Sequence, residues 1–349
     1  MRRAPLWLGI LALLLIGGLV LNTLVAAGVF RVIAPHFAGR CAQVPLPGAE
    51  DITFDKRIGY AYISSLDRRA AWAGQEIRGD IYGYDPRNAA APVNLTKDFA
   101  GPFQPHGISL LAGRDGAVTL MVVNHGGGRH AIEIFDAGRD GLLRHRRTVT
   151  DPLIVSPNDV AAIDRDSFYV SNDHGYPTGI MRTLEDYLRL PAGNVVHWNG
   201  AQARVVIEGT NYANGVALSR DGAKLYLAQT TARSVSVFAR DAKSGDVRLE
   251  RLIAADTGVD NIEIDEQDNL WIGAHPKLLA FASHAGDAAK LSPSQVIRLT
   301  PQPDGQYKID EIYLDDGAQL SGSATAAVWR KKMLIGPVFA PYFLNCDLP

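Results

Sequence analysis

The chain has almost no excess of charge of either sign. Its 349 residues carry 35 lysines and arginines against 37 aspartates and glutamates, which gives a formal net charge of −2. A nucleic-acid-binding protein normally presents a basic surface, because contacts to phosphates supply much of its affinity. Nucleic acid is therefore not expected as a partner. The remaining composition, 47% hydrophobic and 21% charged, is that of an ordinary globular protein.

Several catalytic motifs are also missing. The sequence contains no G-x-S-x-G nucleophile elbow, no H-E-x-x-H zinc motif and no P-loop. The run Gly-Gly-Gly-Arg at residues 126–129 lacks the strand-to-helix context of a nucleotide-binding loop. Covalent serine catalysis, zinc protease chemistry and nucleotide binding are therefore not indicated.

The single long hydrophobic run lies at the N-terminus. Residues 4–30 contain only two clearly polar side chains, and about 20 apolar residues are enough to span a bilayer. Arg2 and Arg3 precede this run and favour export of the chain that follows it. The run is longer than the apolar core of a usual signal peptide, so we interpret it as a signal anchor. A signal peptide cleaved near residues 25–27 is the alternative.

The organisation that follows is a short membrane segment and one exported domain. Residues 1–40 are predicted to be the anchor and a linker, and residues 41–349 a single domain. If the anchor is retained, this domain is membrane-anchored on the periplasmic or extracellular side; if the N-terminus is cleaved, the domain is secreted. Cysteine occurs only at Cys41 and Cys346, near the two ends of this domain. Two cysteines in an exported protein are more often paired than free. We therefore expect a disulfide that brings the domain ends together; two unrelated thiols are the alternative.

One pattern is repeated six times along the domain. Each copy has a polar head, an alternating apolar strand, a tight turn and a second strand, and the copies start at residues 50, 106, 158, 214, 260 and 322. The turns contain Asp-Gly or similar residues, which favour hairpins. The spacing leaves room for four short strands in each copy, and residues 183–190 are the only short helix predicted. The pattern therefore predicts an all-β, six-bladed β-propeller with four-stranded blades.

The polar heads of the repeats should converge on one axis. The innermost strands of a propeller line its central channel, so equivalent positions lie at similar heights. Carboxylate and amide oxygens gathered in this way are the ligands that Ca²⁺ prefers, whereas Mg²⁺ demands stricter geometry. Turn formation explains any single head, but it does not explain five. The predicted ring around a central metal channel comprises Glu50, Asp51, His106, Asn158, Asp159, Asn214, Asp260 and Asn261.

Two of the nine histidines are candidates for proton transfer. His106 and His125 end the two strands of one predicted hairpin, so their rings could meet at one rim and pass a proton near neutral pH. The alternative is that they only line a pocket. Four further histidines, His130, His145, His197 and His284, are predicted to lie on the surface, and His36 has no evident role. Arg68 and Arg69 are interpreted as a solvated loop tip; contact with a negatively charged substrate is the alternative.

The motifs together resemble those of the paraoxonases, the calcium-dependent lactonases and arylesterases with a six-bladed propeller fold. The resemblance runs from Cys41 to Cys346 and is carried by GAED at 48–51, PHGISLL at 105–111, VVNH at 122–125, PNDV at 157–160, SNDH at 171–174, ANG at 213–215, VDNI at 259–262 and LWIGAHP at 270–276. The order and spacing of these segments are specific, although single segments such as ANG are not.

The resemblance implies two calcium ions. The catalytic ion would be held by Glu50, Asn158, Asn214, Asp260 and Asn261. A deeper structural ion would be held by Asp51, Asp159 and the backbone carbonyl of Ile108, so that adjacent residues serve different ions where the strand geometry is irregular. The resemblance also implies a catalytic pair, His106 and His125, and the candidate pocket residues are Tyr212, Asp173, His174 and His275.

The implied activity is metal-assisted attack of water on a lactone or an aryl ester, with the histidine pair as base and shuttle. Two alternatives remain open. One is a lactonase of the gluconolactonase and senescence-marker type, which uses fewer metal ligands. The other is a calcium-stabilised propeller that binds a partner without catalysis. The histidine pair favours the enzyme, because a purely structural metal needs no base.

Overall fold

The computed structural model describes residues 4–88, 90–113 and 116–349. In this part of the chain an N-terminal helix, α1 (Ala4–Ala26), precedes 24 strands that form six four-stranded antiparallel sheets. The innermost strands of successive sheets contact one another in a closed ring. The fold is therefore a six-bladed β-propeller, as the repeats predicted.

The strands follow one another blade by blade. After β1 (Arg40–Pro45), the first blade contains β2 (Ala49–Asp55), β3 (Tyr60–Ser65), β4 (Asp80–Tyr84) and β5 (Val93–Asn94). The second contains β6 (Pro105–Ala112), β7 (Val118–Asn124), β8 (Ala131–Ala137) and β9 (Leu143–Val149). The third contains β10 (Pro157–Ala162), β11 (Phe168–Asn172), β12 (Gly193–Trp198) and β13 (Ala203–Thr210).

The second half repeats this order. The fourth blade contains β14 (Ala213–Leu218), β15 (Lys224–Gln229), β16 (Ser234–Arg240) and β17 (Val247–Ala254). The fifth contains β18 (Gly258–Ile264), β19 (Leu270–His275), β20 (Ser294–Pro301) and β21 (Tyr307–Asp315). The sixth contains β22 (Ser323–Trp329), β23 (Lys332–Pro337) and β24 (Tyr342–Asp347), and β1 is its fourth strand.

The ring is closed by the two ends of the domain. Strand β1 pairs antiparallel with β24, and Cys41 lies directly opposite Cys346 in this register. The two cysteines form a disulfide, as expected from the sequence. The first strand of the domain thus completes the last blade, and the covalent bridge lies at that closing pair.

Every inner strand has an irregular pairing at its polar head. The pairing register between the first and second strands shifts after residues 49, 105, 157, 213, 259 and 323, one shift in each blade. Such a bulge places an extra residue on one strand and redirects its side chain. Two adjacent polar residues can face different ions only where the strand geometry is irregular. The bulges supply that irregularity at the polar heads.

Three short helices project beside the channel end that carries the polar heads. They are α2 (Arg68–Trp72), α3 (Ile180–Leu188) and α4 (Leu278–Gly286). The sequence predicted only one helix, at residues 183–190, which corresponds to α3 with shifted bounds. The other two were missed because a five-residue helix shows no periodicity, and because α4 is almost uniformly apolar, without the alternating faces of an amphipathic helix.

Helix α1 is exposed and apolar. By length and composition alone, its segment Leu8–Ala26 could cross a membrane, a test that signal sequences also pass. Arg2 and Arg3, which indicated the orientation of this helix, lie outside the described residues. Just after the helix, the carbonyl of Ala27 accepts a hydrogen bond of 2.9 Å from the N–H of Leu278 in α4. The end of α1 therefore lies against the helices beside the channel.

Candidate active site and metal centre

A cavity of about 540 Å³ lies at the channel end that carries the polar heads. Most of the side chains selected from the sequence line this one cavity: Glu50, His106, His125, Asn158, Asp173, Tyr212, Asn214, Asp260 and His275. Asp51, Asp159, Ile108 and Asn261 are buried and do not line it. His174 does not line it either, but packs edge-on against Tyr212, with 4.9 Å between the ring centroids.

Two glycines allow the polar heads to approach one another. A Cβ at Gly107 would lie 2.5 Å from Cα of Asp159, and a Cβ at Gly215 would lie 2.6 Å from the carbonyl oxygen of Asp260. Both distances are far shorter than a van der Waals contact, so no larger residue fits without movement of the backbone. The sequences His-Gly and Asn-Gly at the strand heads are therefore explained by close packing between neighbouring blades.

Four buried oxygens of the predicted ligand set lack hydrogen-bond partners among the described residues. They are Glu50 Oε2, Asn158 Oδ1, Asn214 Oδ1 and Asn261 Oδ1, and they come from four different blades. Each unsatisfied buried acceptor costs about 1–3 kcal/mol, so native proteins rarely leave several together. Carboxylate and amide oxygens are the donor set that suits a calcium ion. The residues present therefore fit such an ion.

The asparagine amide groups are held so that their oxygens stay available. Asn214 Nδ2 donates to Thr230 Oγ1 at 3.1 Å, and Asn261 Nδ2 donates to Glu50 Oε1 at 2.8 Å. Thr230 in turn donates to the carbonyl of Val259 at 2.7 Å. These hydrogen bonds fix the orientation of both amides before any ligand binds.

Arg68 is a buried part of this site, and the prediction that it lies at a solvated loop tip is wrong. It is 6% exposed, and its Nη2 lies 3.6 Å from Glu50 Oε2. Its guanidinium also donates to the carbonyls of Gly48 at 2.9 Å and Pro105 at 3.1 Å. Burial alone would raise the pKa of Glu50, but attraction and hydrogen bonding to His106, with the charge of Arg68, lower that pKa to about 2.

Arg69 is likewise not at a free loop tip. It is the second residue of α2, and its guanidinium donates to the carbonyl of Phe339 at 3.2 Å and to that of His284 at 2.6 Å. Arg68 therefore fixes α2 to the first and second blades, and Arg69 fixes it to the fifth and sixth blades. The loop that looked polar in the sequence is a docked helical turn.

A deeper pair of carboxylates lies below the cavity. Asp51 accepts hydrogen bonds from the N–H groups of Ile52 and Ile108, at 2.9 and 2.7 Å. Asp159 accepts from those of Val160 and Val216, at 2.7 and 2.8 Å. Burial, and then the nearby carboxylate charges, raise the pKa of both groups well above the usual value. A cation between them would remove this repulsion.

The two candidate metal sites consist of amide and backbone oxygens as well as carboxylates. In the described ranges, no group of three or more histidine, cysteine, aspartate or glutamate side chains is arranged to hold a metal ion. A closed zinc-type set is therefore not formed there. The donors that do converge are the oxygens to which calcium is best suited.

The two predicted proton-transfer histidines are in direct contact. His106 Nδ1 lies 3.1 Å from His125 Nε2, and His106 Nε2 lies 3.5 Å from Glu50 Oε1. Desolvation, and then repulsion by His106 and His130, lower the pKa of His125 well below its usual value. The neutral imidazole of His125 is thereby favoured over its protonated form.

The prediction that four further histidines lie on the surface is correct for His145, which is exposed, and wrong for the other three: His130 is partly buried, and His197 and His284 are buried. His130 Nδ1 lies 2.8 Å from His125 Nδ1, and His145 Nε2 lies 2.9 Å from Glu133 Oε2. His197 and His284 are 6% and 3% exposed. His36 is exposed and pairs through its backbone with Leu314. His145 and His197 lie in strands, but the burial of His197 and His284 depends on neighbours distant in sequence, which the local pattern does not show.

Two carboxylate–histidine pairs flank the cavity. His275 Nε2 lies 2.7 Å from Asp260 Oδ2, and its ring stacks on Phe281. His174 lies between Asp173 and Asp186, with nitrogen–oxygen distances of 2.7 and 3.0 Å. Burial opposes its protonation, but these two hydrogen bonds raise the pKa of His174 to about 9. His174 is therefore a cation at neutral pH and not a base.

Fold and site together define a six-bladed propeller with a candidate active-site cavity at one end of its channel. The family model for arylesterase matches residues 40–348. The chain therefore belongs to the arylesterase family, whose members are carboxylic ester hydrolases. It is 33% identical to serum paraoxonase/arylesterase 1 of Mus musculus over 332 residues, which cover 91% of this chain and 92% of the relative.

One further relative and one solved structure extend the comparison. Serum paraoxonase/arylesterase 2 of Homo sapiens is 32% identical over 275 residues, which cover 77% of this chain and 75% of the relative. The solved gluconolactonase of Xanthomonas campestris superposes with a TM-score of 0.55, covering 91% of this chain and 96% of its own, at 15% identity. At that identity the structural match supports the fold alone.

Proposed function

We propose that this protein is a calcium-dependent hydrolase of lactones and aryl esters. The observation that carries the proposal is the set of four unsatisfied buried oxygens around the channel, beside the histidine pair that borders the same cavity. The relatives named paraoxonase/arylesterase support an ester or lactone as the substrate class. No covalent nucleophile is required, because water supplies the attacking oxygen.

In this proposal Glu50, Asn158, Asn214, Asp260 and Asn261 hold the ion next to the cavity. Asp51, Asp159 and the backbone carbonyl of Ile108 hold a second, structural ion below it. A calcium ion bound at the upper site would polarise the substrate carbonyl and stabilise the oxyanion that develops during attack. The hydrogen bond between His275 and Asp260 orients that carboxylate, as outer-shell partners of metal ligands commonly do.

The histidines supply the base. His106 takes a proton from the attacking water at Nε2, while its Nδ1 is directed at His125 Nε2, 3.1 Å away. The contact between the two rings lets a proton pass from His106 to His125. Because the pKa of His125 is lowered by burial, His125 holds that proton only transiently. The apolar part of the substrate binds the apolar part of the lining, to which Leu278, Phe281 and Phe339 contribute.

We further propose that residues 1–40 form a membrane anchor and linker and that residues 41–349 form the hydrolase domain on the exported side. Thr23, Ala26 and Ala27, at the end of α1, line the same cavity as His106. An anchored α1 would therefore hold the cavity mouth close to the membrane surface. A disulfide in the domain is consistent with an oxidising compartment.

The test is hydrolysis by the full-length chain in a mild detergent. Acid release from an alkyl lactone and from phenyl acetate is followed in calcium, after treatment with EGTA, and after calcium is restored. His106→Gln is compared with the matched variant His36→Gln, which removes an exposed histidine that does not line the cavity. We expect reversible loss of activity on chelation and a decrease of at least about tenfold for His106→Gln alone.

Other outcomes separate the alternatives. Activity that is indifferent to EGTA contradicts the role of the metal. Turnover confined to sugar lactones favours an enzyme of the gluconolactonase type. Absence of turnover on lactones and aryl esters, in a protein whose melting temperature still rises with calcium, favours a binding propeller.

A further inference from the structure

A third imidazole continues the histidine pair away from the cavity floor, which is the end of the cavity at Glu50. His130 Nδ1 lies 2.8 Å from His125 Nδ1, and the two rings pack edge-on with 5.0 Å between their centroids. His130 lines the cavity and is only partly buried. The three rings therefore form a continuous row from the carboxylate of Glu50 to a position in contact with solvent.

A short glycine segment places His130 in this row. Gly126–Gly128 form a 3₁₀ turn directly after His125, and Gly127 and Gly128 have φ angles of 73° and 68°. Such left-handed backbone is readily adopted by glycine and rarely by other residues. The turn folds the chain back, so that the side chain five positions after His125 returns to it.

The nitrogens are arranged for transfer through the rings. His106 directs Nε2 towards Glu50 and Nδ1 towards His125, while His125 directs Nε2 towards His106 and Nδ1 towards His130. Each of these two rings thus has one nitrogen on the side of Glu50 and the other on the side of His130. A neutral imidazole can accept a proton at one nitrogen and release one from the other.

We propose that His130 is the outer member of a three-imidazole relay that exchanges protons between the cavity floor and solvent. This inference rests on the proposed hydrolytic function. His130 does not contact the reacting atoms in this account, so it is a positioning and proton-transfer residue that acts through His125. The other charged groups near its ring are Asp173 and Arg182, which belong to the neighbouring blade and to α3.

The proton balance closes over one turnover. On attack, an O–H bond of water breaks, a bond from the proton to His106 Nε2 forms, and successive transfers release a proton from His130 to solvent. When the ester C–O bond breaks, the reverse transfers deliver a proton from solvent to the leaving alkoxide and restore the starting tautomers. The carboxylic acid product then loses its own proton to water, and no other reactant is needed.

The experiment compares two variants of the full-length chain. His130→Asn keeps a polar atom near the position of Nδ1 but cannot transfer a proton through a ring, and His130→Ala leaves space for free imidazole. His36→Asn is the matched control. We expect kcat to fall about tenfold in both His130 variants, with KM changed less than twofold, and we expect added imidazole to restore kcat of His130→Ala in a saturable manner.

Several results overturn the inference. A wild-type kcat in His130→Asn would show that a hydrogen bond to His125 is sufficient. A loss in His130→Ala that imidazole does not restore, or an equal response of wild type to imidazole, would assign a structural role. If wild type is active and either result is found, only the relay fails. If wild type with calcium hydrolyses no lactone or ester, the relay and the proposed function fail together.

Discussion

Removal of the charge of Arg68 should destabilise the calcium-free protein strongly and increase the stabilisation that calcium provides. The guanidinium and the Glu50 carboxylate are both almost completely buried, with 3.6 Å between Nη2 and Oε2. In Arg68→Met the carboxylate would lose its nearest arginine while remaining out of water. The carbonyls of Gly48 and Pro105 would lose their donors as well.

The size of the effect follows from the cost of an uncompensated buried charge. Removal of one partner of a buried ion pair typically costs about 3–5 kcal/mol, whereas removal of both is often nearly neutral. For a domain of this size, about 2 °C of melting temperature corresponds to each kcal/mol, so we expect a decrease of about 6–10 °C in EGTA. With calcium the decrease should be smaller, because a dication replaces the lost charge beside Glu50.

The assay is thermal unfolding in EGTA and in calcium for wild type, Arg68→Met, Arg68→Lys and the double variant Arg68→Met/Glu50→Gln. Arg68→Lys keeps the charge and should lose less stability than Arg68→Met. The double variant should recover part of the loss, which is the sign of direct coupling. A melting temperature of Arg68→Met equal to that of wild type in EGTA would refute this reasoning, as would additive losses in the double variant.

Two further predictions concern contributions to the stability of the folded protein from residues outside the candidate metal sites. Cys41→Ser/Cys346→Ser removes a bridge between residues 305 positions apart, which the chain-entropy model values at about 5–6 kcal/mol. Urea unfolding of wild type and variant measures this loss, and equal midpoints would contradict it. The raised pKa of His174 predicts a stabilising contribution that is present below about pH 6.5 and is lost as the pH rises to about 9. Asp186→Asn should therefore flatten the decline of unfolding free energy between pH 6.5 and 9; a slope equal to that of wild type would exclude this cause.

The propeller and most of its polar ring could be predicted because their signals are local and repeated. Alternation and tight turns define each hairpin within about 20 residues, and six copies leave few architectures that fit. The ring followed from geometry once the repeat was recognised. Asn158 and Asp159 illustrate this: a pair that looks like turn chemistry lies at a bulge, with Asn158 lining the cavity and Asp159 buried below it.

The features that were missed depend on contacts between distant parts of the chain. Arg68 looked like a loop residue because nothing near it in sequence shows that Glu50 and two carbonyls will surround it. His130 looked exposed because its neighbours are glycines and an arginine, and only the turn at Gly126–Gly128 returns its ring to His125. Three consecutive glycines between two histidines were the signal that could have indicated a tight reversal.

The central claim is that the ring of polar heads holds two calcium ions, one of which serves hydrolysis. Its most direct test is the calcium content of the full-length chain after equilibrium dialysis, measured for wild type, Asn158→Leu and Asp159→Asn together with lactone hydrolysis. We expect about two ions in wild type and about one in each variant, with hydrolysis lost in Asn158→Leu. Wild type without bound calcium, or both variants with the wild-type content, would contradict the account.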